Sequence, residues 1–178
     1  MYYRLIGDNE NFRNYIMVGY TQDYANMFDG RSHKSAYKKT EFKLTKETES
    51  TYPIADFIGV GYIPLCSKKM KGVLETVCEK DEIEFLPCKL EGINDDFYIM
   101  NVLGLEDCVD YEESDYETFK SSDRIMFFNK IKLKKEIQRH VFRIIDLPYC
   151  NYFVTEKVKN KLESAGLKGL KFDNTMFN

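Results

Sequence analysis

The sequence predicts an α+β fold, a mostly antiparallel or mixed sheet with two or more packed helices. Three observations carry that prediction. Short runs rich in aromatic and β-branched residues recur along the chain with turn residues between them. Two stretches, opening at Ser67 and at Thr155, place apolar side chains at helical spacing. Aromatics make up 15% of the 178 residues, with 13 Tyr and 13 Phe. Each buried ring removes on the order of 150–250 Å² from water, enough for a sizeable core in one domain of this length.

Taken in order, Tyr2 to Ile6 and Tyr15 to Tyr20 read as strands. Gln22 to Ser35 is polar and holds an Asp29-Gly30 turn signal. Lys38 to Thr45 places Phe42 and Leu44 on one face of an exposed strand, and Glu47 to Thr51 reads as a loop before Tyr52-Pro53. Ile54 to Gly61 and Ile63 to Cys66 are apolar and extended. Ser67 then caps a helix over 67–79 in which Met70, Val73, Leu74 and Val77 share a face.

Ile83 to Leu90 and Phe97 to Leu103 are the clearest strands. The turn from Glu91 to Asp96 joins them as an antiparallel pair, with Ile83, Phe85, Phe97 and Ile99 available for a packed face. Arg124 to Leu133 and Val141 to Ile145 follow as strands. A last helix over 155–165 ends at Gly166, suited to a left-handed cap, before a short Leu170 to Phe172 strand.

Two of these segments resemble each other. Leu65 to Glu75 aligns without gaps to Phe153 to Glu163, with identities at Lys69/Lys157, Lys71/Lys159, Leu74/Leu162 and Glu75/Glu163 and a hydroxyl at Ser67/Thr155. The likeness reads as the same local physics reached twice, ahead of an internal duplication.

Composition bounds the chemistry. Twenty-six basic and 29 acidic residues give a net charge of −3, which argues against a dedicated nucleic-acid binder. The charge is unevenly placed: residues 105–123 carry net −7 and residues 124–178 net +7. Cys66, Cys78, Cys88, Cys108 and Cys150 show neither metal-knuckle nor redox-pair spacing, and read as free thiols in a reducing compartment. The N-terminus lacks the pattern of a signal peptide, and the longest nearly apolar run, Phe57 to Cys66, is half the length of a membrane span. A soluble, cytoplasmic protein is expected, with no membrane partner.

No Gly-rich phosphate loop, nucleophile elbow or paired-histidine motif is present, so no catalytic residues, cofactor or metal are expected. Cys150 with His140 is the least implausible thiol–imidazole pair, without local support. The basic stretch from Arg31 to Lys39 would let Tyr37 stack on a base. A small nucleic-acid-binding module using residues 31–46 and 124–178 is therefore the alternative function, against an exposed loop and a lysine-protected edge strand.

The most unusual segment is acidic. Seven carboxylates fall in the twelve residues from Glu106 to Glu117, without a cation among them. Asp107, Asp110, Tyr111, Glu112, Glu113, Asp115, Tyr116 and Glu117 make the candidate binding surface. The carboxylates would steer a basic protein partner, and the two tyrosines would supply rigid contact area. A solvated acidic loop with no partner is the alternative reading, and calcium is a poorer fit, because the Gly-turn spacing of an EF-hand loop is absent.

From Pro53 onward the motifs resemble a family of bacterial polymorphic-toxin immunity proteins, the eleventh in its usual catalogue and once a domain of unknown function. The resemblance lies in Pro53-Ile54-Ala55-Asp56-Phe57, in Ile63-Pro64-Leu65-Cys66-Ser67 opening the helix with Leu74-Glu75, and in Glu84-Phe85-Leu86-Pro87-Cys88. It continues through Phe97 to Val102, Val109-Asp110 with Ser114, Val141-Phe142-Arg143-Ile144, Tyr152-Phe153-Val154-Thr155 and Gly169-Leu170-Lys171-Phe172. Residues 1–178 are read as one immunity-protein-like domain. Residues 53–178 carry the resemblance, whereas 1–52 carry little of it and lack the tryptophans the family often shows there. The resemblance implies a non-enzymatic protein whose partner is a cognate toxin. It carries over no catalytic residues.

Overall fold

The structure is a computed structural model that describes residues 1–17, 29–44, 51–61, 63–134, 136–146 and 152–177. Strands β1 (Tyr2–Gly7), β2 (Tyr15–Met17), β3 (Thr40–Leu44), β4 (Phe57–Val60) and β5 (Ile63–Ser67) lead into helix α1 (Lys68–Glu75). Strands β6 (Ile83–Leu90), β7 (Phe97–Val102), β8 (Leu105–Glu106), β9 (Asp115–Thr118), β10 (Ile125–Lys130), β11 (Val141–Ile144) and β12 (Tyr152–Thr155) lead into helix α2 (Glu156–Ser164). Strand β13 (Leu170–Asp173) and a 3-10 turn at Thr175–Phe177 follow. The fold is α+β, as the sequence predicts.

The strands form a six-stranded sheet in the order β2-β3-β6-β7-β5-β4, a five-stranded sheet β13-β1-β12-β11-β8 and a separate ribbon β9-β10. Pairing is antiparallel except at β3–β6 and β8–β11. Three clusters of buried side chains follow from strand alternation. Cys66, Met70, Leu74 and Met100 share a core with Leu5, Val154, Val158 and Leu162, so both sheets and both helices bury one face together. Phe42, Ile58, Leu65, Leu86 and Ile99 fill the other face of the large sheet. Cys108, Val109, Phe128, Phe142 and Phe153 fill the other face of the five-stranded one.

The likeness between the two helical segments extends through two whole units. Strands β6-β7-β5-β4 around α1 match β13-β1-β12-β11 around α2, antiparallel throughout. Cys66 pairs with Tyr98 and Phe57 as Val154 pairs with Tyr3 and Val141. Lys71 lies over the rings of Phe85 and Tyr98 and bonds Glu75 at 2.7 Å, while Lys159 lies over Phe172 and Tyr3 and bonds Glu163 at 2.6 Å.

Isolated backbone bonds repeat as well. Ser67 N–H donates to Asp56 C=O and Thr155 N–H to His140 C=O. Lys68 N–H donates to Asp96 C=O and Glu156 N–H to Met1 C=O, and Leu103 N–H to Glu82 C=O and Asp8 N–H to Gly169 C=O. Local strand–cap–helix physics does not dictate these long-range partners, so a repeated unit describes the molecule better than one local solution reached twice. In the second unit the N-terminal strand β1 occupies the place that β7 holds by direct hairpin connection in the first.

Several expectations are revised. Strand β3 is not exposed: it pairs on both sides, and Phe42 is buried. Phe97 and Ile99 do not share a face with Ile83 and Phe85. The register opposes Cys88 to Phe97 and Leu86 to Ile99, which puts those four in the second core, whereas Ile83 and Phe85 face the helices. Helix α1 stops at Glu75, although Val77 is still buried beyond it. The loop over 47–51 and the end of the strand over 15–20 lie largely outside the described residues.

Candidate functional site

The repeated units leave two segments over, residues 8–56 and 103–140. The second contains the acidic run. It starts where Leu103 N–H bonds Glu82, and Gly104 passes so close to Arg139 that a Cβ there would come within 2.6 Å of the guanidinium stem. Strand β8 then runs parallel to β11. Cys108 and Val109 are buried, and Val109 bridges to Leu133.

Cations from later in the chain face this run. Arg139 Nε lies 3.4 Å from Glu106, Lys134 Nζ 2.8 Å from Asp107 and Lys132 Nζ 3.7 Å from Glu113. A hydrogen bond from Lys134 to Asp107 holds the ammonium above its ordinary pKa. Three carboxylates of the −7 segment, Glu106, Asp107 and Glu113, therefore meet cations of the +7 segment within the molecule.

Asp110 is a turn residue. Its Oδ1 accepts from the Glu112 and Glu113 amides at 3.2 and 3.4 Å, while its own N–H donates to Lys132 C=O. Tyr116 is half-buried: its ring lies 5.5 Å from Phe128 and 5.8 Å, edge-on, from Tyr111. Tyr111 also approaches Phe128, at 6.4 Å, and its hydroxyl donates to the Asp146 carboxylate. Burial and that carboxylate push the phenol well above its usual range. The aromatic pair thus serves the third core, and Tyr111 is the more exposed of the two, with 36% of its surface in solvent.

Glu112, Asp115 and Glu117 are exposed and make no ion pair among the described residues. Asp115 and Glu117 lie on β9, whose register opposes Glu117 to Phe127 and Tyr116 to Phe128. One face of the ribbon is thus seated on the third core. The other carries Asp115 with Lys130 opposite it and Glu117 with Phe127 opposite it, and Met126 sits at a register shift beside them. Phe119, Met126 and Phe127 keep 46%, 41% and 40% of their surface exposed. The sequence reading missed these three. For Met126 and Phe127 the signal is the run Met126-Phe127-Phe128, since alternation in a strand sends at least one of that run outward.

The remaining candidates separate from this region. Tyr37 is half-buried against the second core, donating to Pro87 C=O at 2.8 Å and accepting from Thr40 N–H, so its ring is not free to stack on a base. The stretch around it is clamped by Glu84, which accepts from Ser32 Oγ at 2.6 Å, the His33 and Lys34 amides at 2.9 and 3.0 Å and Asn101 Nδ2 at 3.0 Å. Burial opposes ionisation of Glu84, but these donors outweigh it and hold its pKa below the ordinary value.

His140 donates its backbone N–H to Glu82 and sets Nε2 3.2 Å from Lys157 Nζ, and Cys150 lies outside the described residues. Cys66 is buried and its thiol pKa raised, and burial pushes the Cys88 thiol up to about 12. Among the described residues no three of His, Cys, Asp and Glu converge as a metal site would need, and no helix is long and apolar enough to cross a membrane.

Residues 9–176 match the sequence model of the Immunity protein family (Imm11). The match takes in most of residues 1–52, the part of the chain that carries the least of the motif resemblance. Comparison with curated proteins finds no match.

Proposed function

The chain belongs to the Imm11 immunity protein family, and from that premise we propose that it neutralises a cognate bacterial toxin by direct protein–protein contact in the cytoplasm, without catalysing a reaction. The observation that carries the reading is the family match over nearly the whole chain. Burial and raised pKa at Cys66 and Cys88 also favour a binding role, because a thiol nucleophile needs the thiolate.

The contact is assigned to the acidic segment: Asp107, Asp110, Tyr111, Glu112, Glu113, Asp115, Tyr116 and Glu117. Within it the roles differ. Asp110 and Tyr116 shape the turn and seat the ribbon, Asp107 and Glu113 are partly neutralised by lysines, and Glu112, Asp115 and Glu117 make no ion pair among the described residues. Such charge accelerates encounter with a basic surface and is screened over about 8 Å at physiological salt.

Co-expression of the chain with the toxin domain encoded beside it tests the function. Growth rescue together with a co-purifying complex is expected. Rescue without a complex contradicts direct contact, and failure of both contradicts neutralisation. Charge reversal at Glu112, Asp115 and Glu117 tests the site: association slows at low salt, and the difference shrinks as salt rises. An unchanged association rate in a folded variant removes the acidic segment from the interface.

A further inference from the structure

The ribbon exposes apolar side chains that the fold itself does not use. Phe119, Met126 and Phe127 are each two-fifths or more exposed, on a two-stranded element whose other face is already packed. Alternation along β9 places Asp115 and Glu117 on the outer side, Phe127 stands opposite Glu117, and Phe119 follows directly on the end of β9. Phe119 N–H closes the ribbon end on Arg124 C=O at 3.0 Å, which keeps Phe119 beside the strands rather than in a free loop.

Three large apolar groups presented this way are a cost to an isolated molecule and a resource to a complex. Contiguous exposed apolar surface marks protein contact sites, and aromatic anchors dominate their energetics. Register shifts between Ile125 and Phe127 and between Phe128 and Lys130 interrupt the regular ladder of β10, which disfavours open-ended strand addition by another sheet. A partner would therefore meet the side chains of this face rather than extend its backbone pairing. The ribbon also lies outside both repeated units, so its outer face is not needed to complete either one.

We infer that the outer face of the β9–β10 ribbon is the apolar centre of the toxin-binding surface, with Phe127 as its anchor, Phe119 and Met126 beside it, and Asp115 and Glu117 as its charged border. Its occupant is a toxin surface with an apolar depression rimmed by lysine or arginine. Charge complementarity selects that occupant, because the carboxylates bordering the aromatic groups make no ion pair among the described residues. The inference rests on the proposed toxin-binding function and adds to it where the binding energy is concentrated.

The test uses the full chain, the purified toxin domain encoded beside it, and variants F127Q, M126Q and F119Q, with I16Q as a control at a remote exposed apolar position. Binding kinetics are read at low and high salt, and melting temperature reports folding. F127Q is expected to weaken binding at least tenfold, chiefly through faster dissociation, at both salt concentrations, with smaller losses for M126Q and F119Q. The control binds like the natural chain. D115K/E117K instead slows association, mainly at low salt.

If the natural chain binds tightly and all three ribbon variants bind equally well, the inference fails while the proposed function stands. If the natural chain does not bind, the proposed function fails first. Should the free chain be a dimer that F127Q converts to monomers, the face is covered by a second copy and the inference is overturned. A melting temperature lowered in F127Q alone shifts the decision to M126Q and F119Q, whose unchanged binding would equally overturn it.

Discussion

Ser67 and Thr155 begin equivalent helices but act differently. Ser67 Oγ donates to Asp56 Oδ1 at 2.6 Å and accepts from Met70 N–H at 3.1 Å, so the carboxylate aims the hydroxyl at the helix. At the second helix His140 stands where Asp56 does, and Thr155 makes no side-chain cap bond. Ser67→Ala should therefore destabilise the protein by about 1 kcal/mol and Thr155→Ala by distinctly less, measured by urea unfolding. Equal losses would contradict the role given to Asp56. Glu84 supports a second prediction. Its pKa is depressed in the folded protein, so its contribution is fully present above the ordinary value of 4.5 and is lost as pH falls through the lower, folded value. Glu84→Gln should cost about 1–3 kcal/mol at pH 7 and flatten the acid limb of a melting-temperature profile below pH 4.5. Parallel profiles would show that Glu84 does not control that limb. Sequence marked Ser67 as a cap but gave no sign of the roles of Asp56 and Glu84: Glu84 sits in an apolar strand, and three of its four donors lie about fifty residues away.

At the scale of elements, the helices and the β6–β7 hairpin were legible because caps, a 3.6-residue apolar period and turn residues are local signals. What was not legible depended on partners remote in sequence. Phe42 lies in a lysine-bordered run and reads as exposed until β6 pairs beside it. Faces within β6 and β7 hinge on a register the turn alone does not reveal, and the acidic run looked unpaired because Lys132, Lys134 and Arg139 follow it by many residues. The ribbon illustrates both cases. Its charge was conspicuous, whereas which of Met126, Phe127 and Phe128 faces outward was decided only by the pairing of Phe127 with Glu117 and of Phe128 with Tyr116. Phe128 holds the ribbon on the third core, so Phe128→Ala should cost about 3–5 kcal/mol and raise amide exchange across 115–130 more than across β6 and β7. Uniform loss of protection would instead make the ribbon integral to the global fold.

For the whole molecule, the two units form a scaffold in which the first and last strands of the chain, β1 and β13, pair as β7 and β6 do. Joining Asn178 to Met1 through a short flexible linker and opening the chain between Glu91 and Asp95 exchanges the roles of the units while keeping every strand pair. That permutant should fold with a native-like circular dichroism spectrum, and failure to fold with any linker length would contradict the equivalence. On this scaffold the segment of residues 103–140 presents charge and apolar surface together, as a protein inhibitor requires. The most direct test is titration of the purified chain into the toxin domain encoded beside it, followed by calorimetry and by the toxin's own activity. A saturable complex that abolishes activity in proportion to occupancy is the predicted result. Full toxin activity in the presence of excess folded chain, with no heat of binding, would contradict the account.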